Sequence, residues 1–266
     1  MFRLIFILGL VLGSVQLVAQ SVSLAVAQAG EKPNARQLTA FFEDVVFGSE
    51  YGNKGSTVIQ KWTGPIRIQV SAMSGDMVSK AGGGKELKLA NRRPSQHEVA
   101  PIRKHLGALL KLSGLKAEDA KKAGKKPNLF IRFVPRLAMH AKFLVPSAPP
   151  KLLKKLAAPG VCYFLTAQTQ GRIVWGIIVV NNQLSEPEMN ACLLEEMTQV
   201  LGLPNDSDLV QPSVFNNKTQ PIALNRTDQI LIRTLYDKRL VPGTDRGRAM
   251  AAAAKVIVEL DRMTKN

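Results

Sequence analysis

Three observations predict an α+β or α/β protein built on a mixed β-sheet. Segments of helical and strand period alternate along the chain, a clear β-hairpin occupies residues 161–182, and a strongly marked helix follows its second strand directly. With 266 residues and 45% hydrophobic content the chain can bury a substantial core, as one domain or one domain with an appendage.

The chain opens with one basic residue, Arg3, followed by an uncharged apolar segment from Leu4 to Ala19. Ala25-Val26-Ala27 then supplies the small-x-small pattern of a cleavage site. These features predict a signal peptide over residues 1–27 and a periplasmic or secreted protein. A retained membrane anchor is the alternative, because the apolar part is nearly long enough to cross a bilayer. Beyond it no apolar run is long enough, so no stable membrane span is expected once the signal is removed. Export also bears on the two cysteines, Cys162 and Cys192. In an oxidising compartment an isolated pair is most simply a disulfide, whereas a metal site needs histidine or further cysteine.

Formal charge is +16, or +15 without Arg3. The excess is concentrated in Lys111, Lys116, Lys121, Lys122, Lys125 and Lys126, and again in Lys151, Lys154 and Lys155. Such a surface favours polyanions. No nucleic acid is expected as a partner, since few aromatics lie among the lysines to stack on bases and an exported protein seldom meets it. Anionic lipid headgroups or envelope polymers fit better as counter-charges, and simple solvation of loops fits better still.

Leu38, Phe41, Phe42, Val45 and Val46 recur at helical spacing, which predicts an amphipathic helix over 35–47 stopped by Gly48. Residues 57–71 alternate apolar and polar with β-branched side chains and predict one or two strands broken near Gly64-Pro65. A Gly/Lys-rich loop centred on Gly82-Gly83-Gly84 follows; it is no phosphate loop, because no G-K-[ST] ends it. A helix is predicted over 95–112, with Ser95 and Glu98 as a capping box, Leu106, Leu109 and Leu110 on one face, and a start that Pro101 delays. His97-Glu98 does not open a zinc-binding H-E-x-x-H, because residue 101 is proline; His97 and His105 are read as surface or helix-packing residues. A strand over 128–136 leads into a proline-rich basic loop to Gly160. The hairpin then runs from VCYFLTAQT through a turn at Gln170-Gly171 to RIVWGIIVVNN.

The helix after the hairpin opens on a capping box, Ser185 with Glu188, carries Pro187 in its first turn, and ends at Gly202. Leu193, Leu194, Met197, Val200 and Leu201 define its buried face, leaving Glu195, Glu196 and Gln199 on the opposite side. Residues 192–206, CLLEEMTQVLGLPND, keep the spacing of a zinc-protease helix while lacking every histidine. In H-E-x-x-H, ligands four apart share a face and the glutamate polarises the metal-bound water; extended forms add a glycine and a third ligand three residues beyond it. Here that string reads Glu195-Glu196-x-x-Gln199-x-x-Gly202-x-x-Asn205-Asp206. An ordinary solvated helix also carries such residues. Downstream, Ser213-Val214-Phe215-Asn216 occupies the place of the tight turn beneath the metal in metzincins. LNRTDQILIRTLYDKRL, residues 224–240, resembles the helix that closes their catalytic domain, capped by Asn225 with Asp228.

With these motifs, E-E-x-x-Q-x-L-G-L-x-N-D, S-V-F-N and L-Y-D-x-R-L, the chain resembles a family of exported proteobacterial proteins, domain of unknown function 2927. The resemblance covers roughly Gln37 to Leu240 and is concentrated between Cys192 and Leu240. It implies an α+β, zincin-like (metzincin-type) fold: a mixed β-sheet, an active-site-type helix and a closing C-terminal helix. It supplies no activity. The chain then divides into a signal peptide over 1–27, a zincin-like domain over 34–240 and a C-terminal helical extension over 243–266.

Two functions follow. As a pseudo-protease or peptide-binding module the protein needs no cofactor. An extended peptide would lie between strand and helix, paired with the backbone of Trp175, Ile177 and Val179, while Glu195, Glu196 and Gln199 form a polar cluster. As a hydrolase it would use Glu196 as general base, with Glu195, Gln199 and Asn205 or Asp206 holding a divalent cation. An all-oxygen set suits calcium, magnesium or manganese before zinc. The first, non-enzymatic function is the expected one. A third possibility is an envelope protein held by its basic surface to an anionic component.

Overall fold

The computed structural model describes residues 32–49, 55–80, 82–216, 218–219 and 221–263; the expected signal peptide lies outside the described residues. Helix α1 (Ala35–Phe47) forms where its periodicity predicts. Asn34 accepts the Arg36 and Gln37 amides and Gln37 accepts the Asn34 amide, which satisfies the otherwise orphaned first turn. Its stripe of Leu38, Phe41, Phe42 and Val45 is wholly buried, and each such side chain contributes roughly 1.5–3 kcal/mol by leaving water.

Residues 57–66 make only isolated bridges; the continuous strand β1 (Ile68–Ser79) starts later than the alternation suggests and pairs with β2 (Lys85–Arg92). The expected Gly/Lys-rich loop is therefore the turn of an antiparallel hairpin. The alternation of Leu87 and Leu89 with Lys88 in β2 is too short, and the Gly75–Ser79 end of β1 too polar and exposed, to stand out from the Gly/Lys-rich turn between them. Helix α2 (Gln96–Ser113) starts five residues before Pro101, because the Ser95/Glu98 capping box already closes its first turn and the proline forfeits a single backbone bond.

Strand β3 (Leu129–Val134) follows. The expected basic loop after it contains a 3-10 turn at Arg136–Ala138 and a short helix, α3 (Pro150–Ala157), initiated by proline at its first position. Strands β4 (Cys162–Thr169) and β5 (Arg172–Asn181) form the predicted hairpin, with Gln170 and Gly171 both at positive φ in the turn. Helices α4 (Glu186–Gln199), α5 (Arg226–Tyr236) and α6 (Arg246–Met263) complete the described chain.

The sheet order is β2-β1-β3-β5-β4, with β1, β3 and β5 parallel and the two edge strands antiparallel to their neighbours. This is an α+β protein with a five-stranded mixed open sheet. Side chains alternate across it: Leu129, Ile131, Phe133, Ile178 and Val180 face the large core shared with α1, α2, α4, α5 and α6. Phe130, Val134, Ile177 and Val179 face a smaller core covered by residues 135–160. Helix α6 belongs to the large core, packing Ala249, Ala253, Val256 and Ile257 with α1 and α5, and Arg226 meets its buried Asp261 at 2.5 Å. No described helix is long and apolar enough to cross a membrane.

Candidate functional site

The candidate site is built on α4, which the chain enters directly from β5. Ser185 donates both its amide and its hydroxyl to Glu188, fixing the first turn. Midway, Cys192 is joined to Cys162 at the start of β4, with the Cα atoms 6.3 Å apart, so the disulfide read from cysteine number ties helix to edge strand.

Helix α4 differs from expectation in its surroundings. A half-solvated helix was predicted, with Glu195, Glu196 and Gln199 on its wet side. Instead Glu196 is 6% and Gln199 2% exposed, Thr198 is fully buried, and only Glu195 of this group is half-buried. Contacts with the sheet and with α2 cover α4 on two sides, and residues 203–216 double back past its end. Burying a carboxylate is costly unless its surroundings compensate, so Glu196 is a placed residue and not a solvated one.

The end of α4 is held tightly. Trp62 Nε1 donates to the Val200 carbonyl at 2.9 Å and the Tyr236 hydroxyl donates to that of Leu201 at 2.8 Å, so the helix's last carbonyls find side-chain donors. Gly202 follows at φ 114°, where a Cβ would stand 2.0 Å from the Gln60 carbonyl oxygen. Glycine is required there by both conformation and space.

That turn swings Asp206 back onto α4: Gln199 Nε2 donates to Asp206 Oδ1 at 2.7 Å. Asn205 goes elsewhere. Its side-chain nitrogen donates to the Asp44 carbonyl and its amide to that of Val45, at the end of α1. It lies so close to Gly48 that a Cβ there would come within 2.2 Å of Asn205 Nδ2. Of the two alternatives for a third ligand, Asp206 therefore meets Gln199, while Asn205 fastens α1.

Residues 213–216 form the expected turn, with the Asn216 amide bonded to the Ser213 carbonyl. Ser207 donates to the Phe215 carbonyl at 2.7 Å, attaching the turn to the segment after Asp206. Asp228 does two jobs: its carboxylate caps α5 by accepting from the Asn225 amide, and it also accepts from Ser213 Oγ at 2.7 Å and the Val214 amide. Burial pushes this carboxyl up to about 6, against the lowering effect of the Ser213 hydroxyl and the amides.

Trp175, Ile177 and Val179 lie on β5, which is an interior strand paired with β3 on one side and β4 on the other. Their backbone cannot accept a further strand; the free edge at this end of the sheet belongs to β4.

Among the other buried polar groups, Glu98 and His105 take the capping and helix-packing roles expected of them, and Lys61 is one that the residue pattern does not single out. Glu98, besides capping α2, accepts from Arg92 Nη1 and Nη2 at 2.8 and 2.5 Å; burial opposes its charge, but Arg92 and Ser95 outweigh it and hold it below the usual range. His105 is buried against Asn190 of α4 at 2.7 Å, and burial lowers its pKa. Lys61 donates to the Leu235 carbonyl at the end of α5, and burial pushes it down to about 8. Nothing in a residue pattern separates such groups from surface ones until the helices are stacked.

Among the described residues no group of three or more histidine, cysteine, aspartate or glutamate side chains is arranged to hold a metal ion. The family described as "Protein of unknown function (DUF2927)" matches residues 35–255. The chain belongs to this family. The DUF2927 match begins with α1 and ends inside α6, so it takes in the whole sheet, the candidate site and more than half of the helix read as an extension. No curated protein and no solved structure matches this DUF2927 chain.

Proposed function

We propose that this protein is an exported pseudo-protease: a zincin-like scaffold that has lost zinc ligation and serves as a peptide-binding module. The observation that carries the proposal is the Gln199–Asp206 hydrogen bond. An ionised carboxylate only accepts, so Gln199 must turn its NH2 group toward Asp206. A cation shared between the two would need oxygen from both. The bond instead directs a Gln199 nitrogen at Asp206 and braces the turn after α4.

Supporting the scaffold assignment, a mixed sheet, a helix running directly from its last strand, a tight turn at 213–216 and a closing helix α5 occur in the order the resemblance requires. The peptide would add to the edge of β4, since β5 is occupied on both sides. Main-chain bonds would supply affinity, and side chains near α4 would supply selectivity. Location outside the cytoplasm rests on the signal-like residues 1–27.

A hydrolase using an oxygen-bound calcium, magnesium or manganese ion is the second reading. The burial of Glu196 favours it, because a desolvated carboxylate makes a better general base.

Incubation with fluorescein-labelled casein fragments tests both. Binding that protects β4 amides from hydrogen exchange, without cleavage and unchanged by Glu196→Gln, is the expected result. Cleavage that disappears with Glu196→Gln would establish the hydrolase.

A further inference from the structure

We infer that the cap formed by residues 135–160 is a docking surface for an anionic lipid bilayer, an interaction independent of the peptide-binding proposal. No acidic residue occurs between Asp119 and Glu186, an interval that contains the whole cap and both strands of the β4–β5 hairpin. The cap itself carries Arg136, Lys142, Lys151, Lys154 and Lys155, all exposed.

The fold sorts this segment into an inner and an outer side. Ala138, Met139, Leu144, Val145, Leu153 and Leu156 are buried against Tyr163, Ile177 and Val179 of the sheet. The residues interleaved with them therefore face away from it. On α3, Lys151, Lys154 and Lys155 stand at i, i+3 and i+4, which is one helical face opposite Leu153 and Leu156. His140 and Lys154 line one shallow depression, which brings the loop and α3 together.

Two large apolar side chains of the cap are also exposed: Leu137 is 59% exposed and Phe143 43%, the latter being the exposed phenylalanine among the described residues. Solubility alone would account for the lysines but not for two large exposed apolar groups in the same segment. The combination is that of an interfacial surface, where cations meet lipid headgroups and a few apolar side chains enter the acyl boundary. The surface is also preformed. Tyr163 Oη donates to the Met139 carbonyl at 2.7 Å, the Arg136 amide donates to Gln183 just after β5, and Asn181 donates to the Gly160 carbonyl at 2.7 Å, so both ends of the cap are fixed.

The test uses the full chain with Phe143→Trp, mixed with phosphatidylglycerol/phosphatidylcholine vesicles containing brominated acyl chains, and reads quenching relative to the unsubstituted chain. That signal is local to position 143 and is unaffected by lipid contacts elsewhere, including at residues 1–27. Quenching in anionic vesicles and none in pure phosphatidylcholine is the expected result. Adding Lys151→Glu, Lys154→Glu and Lys155→Glu should weaken it about 100-fold or more. The pair Lys142→Glu and Lys151→Glu provides a second, milder variant with a loss of about tenfold or more. Absence of quenching in anionic vesicles, or equal quenching in neutral ones, overturns the inference. So does binding of soluble polyphosphate that displaces the protein while position 143 never meets lipid.

Discussion

Gln199 and Asp206 are seven residues apart and joined by a 2.7 Å hydrogen bond across the turn that ends α4. The pair connects the buried helix to the segment leading to the 213–216 turn, and a hydrogen bond to a charged group contributes about 1.5–3 kcal/mol when shielded. A double-mutant cycle with Gln199→Leu and Asp206→Ala, measured by urea denaturation, should return a coupling of about 1.5–3 kcal/mol. Additive single effects would show that the two side chains do not act together.

Asp228 should give the protein a measurable pH dependence. Its folded pKa of about 6 lies above the model-peptide value of 3.8, so the folded state holds this proton more tightly than the unfolded state. The resulting stabilisation is complete below about pH 4 and is lost as pH rises through about 6, a difference of about 3 kcal/mol. Denaturation between pH 4 and 8 should show that loss, and Asp228→Asn should remove it. The variant should also be less stable by about 1–3 kcal/mol at low pH, because an amide nitrogen would face the Asn225 amide.

The disulfide should act as a staple and not as a switch. Cys162 and Cys192 are 30 residues apart, and closing a loop of that length stabilises by about 3–4 kcal/mol in the chain-entropy picture. Double substitution to alanine should lower stability by that order while leaving the far-ultraviolet circular dichroism unchanged. Loss of helical signal at low temperature would instead mean that α4 depends on the bond to form.

Two glycines should respond in opposite directions. Gly202→Ala places a methyl against the Gln60 carbonyl and forces a positive φ on alanine, so a loss above about 3 kcal/mol is expected. Gly107, exposed within α2, has open space where a Cβ would go, and Gly107→Ala should stabilise by about 0.5–1 kcal/mol. Thermal midpoints of the two variants, moving apart around the parent, would check both.

Much of the fold was legible where burial is one-sided. The stripe of α1, the β4–β5 hairpin with its Gln170-Gly171 turn, and the capping boxes at Ser185/Glu188 and Asn225/Asp228 all form where the residue pattern places them. The pattern failed where burial was absent or complete. The β1–β2 hairpin alternates only over short stretches beside a Gly/Lys-rich turn, and α3 hides behind prolines that also serve as a helix start. Helix α4 shows the opposite failure. Its charged and amide residues suggested a wet face, but α2, the sheet and residues 203–216 enclose it, and helical periodicity cannot report neighbours supplied from distant parts of the chain. The same ignorance of neighbours placed a peptide on β5, whose edges β3 and β4 both cover. The division between Asn205 and Asp206 was likewise invisible, because it depends on where α1 ends.

Metal stoichiometry of the purified full chain, prepared without chelators and measured by inductively coupled plasma mass spectrometry, tests the central claim most directly. A Gln199 amide that turns its nitrogen to Asp206 predicts a divalent-metal content far below one ion per chain, unchanged by Asp206→Ala. One bound ion per chain that disappears with Asp206→Ala would contradict it.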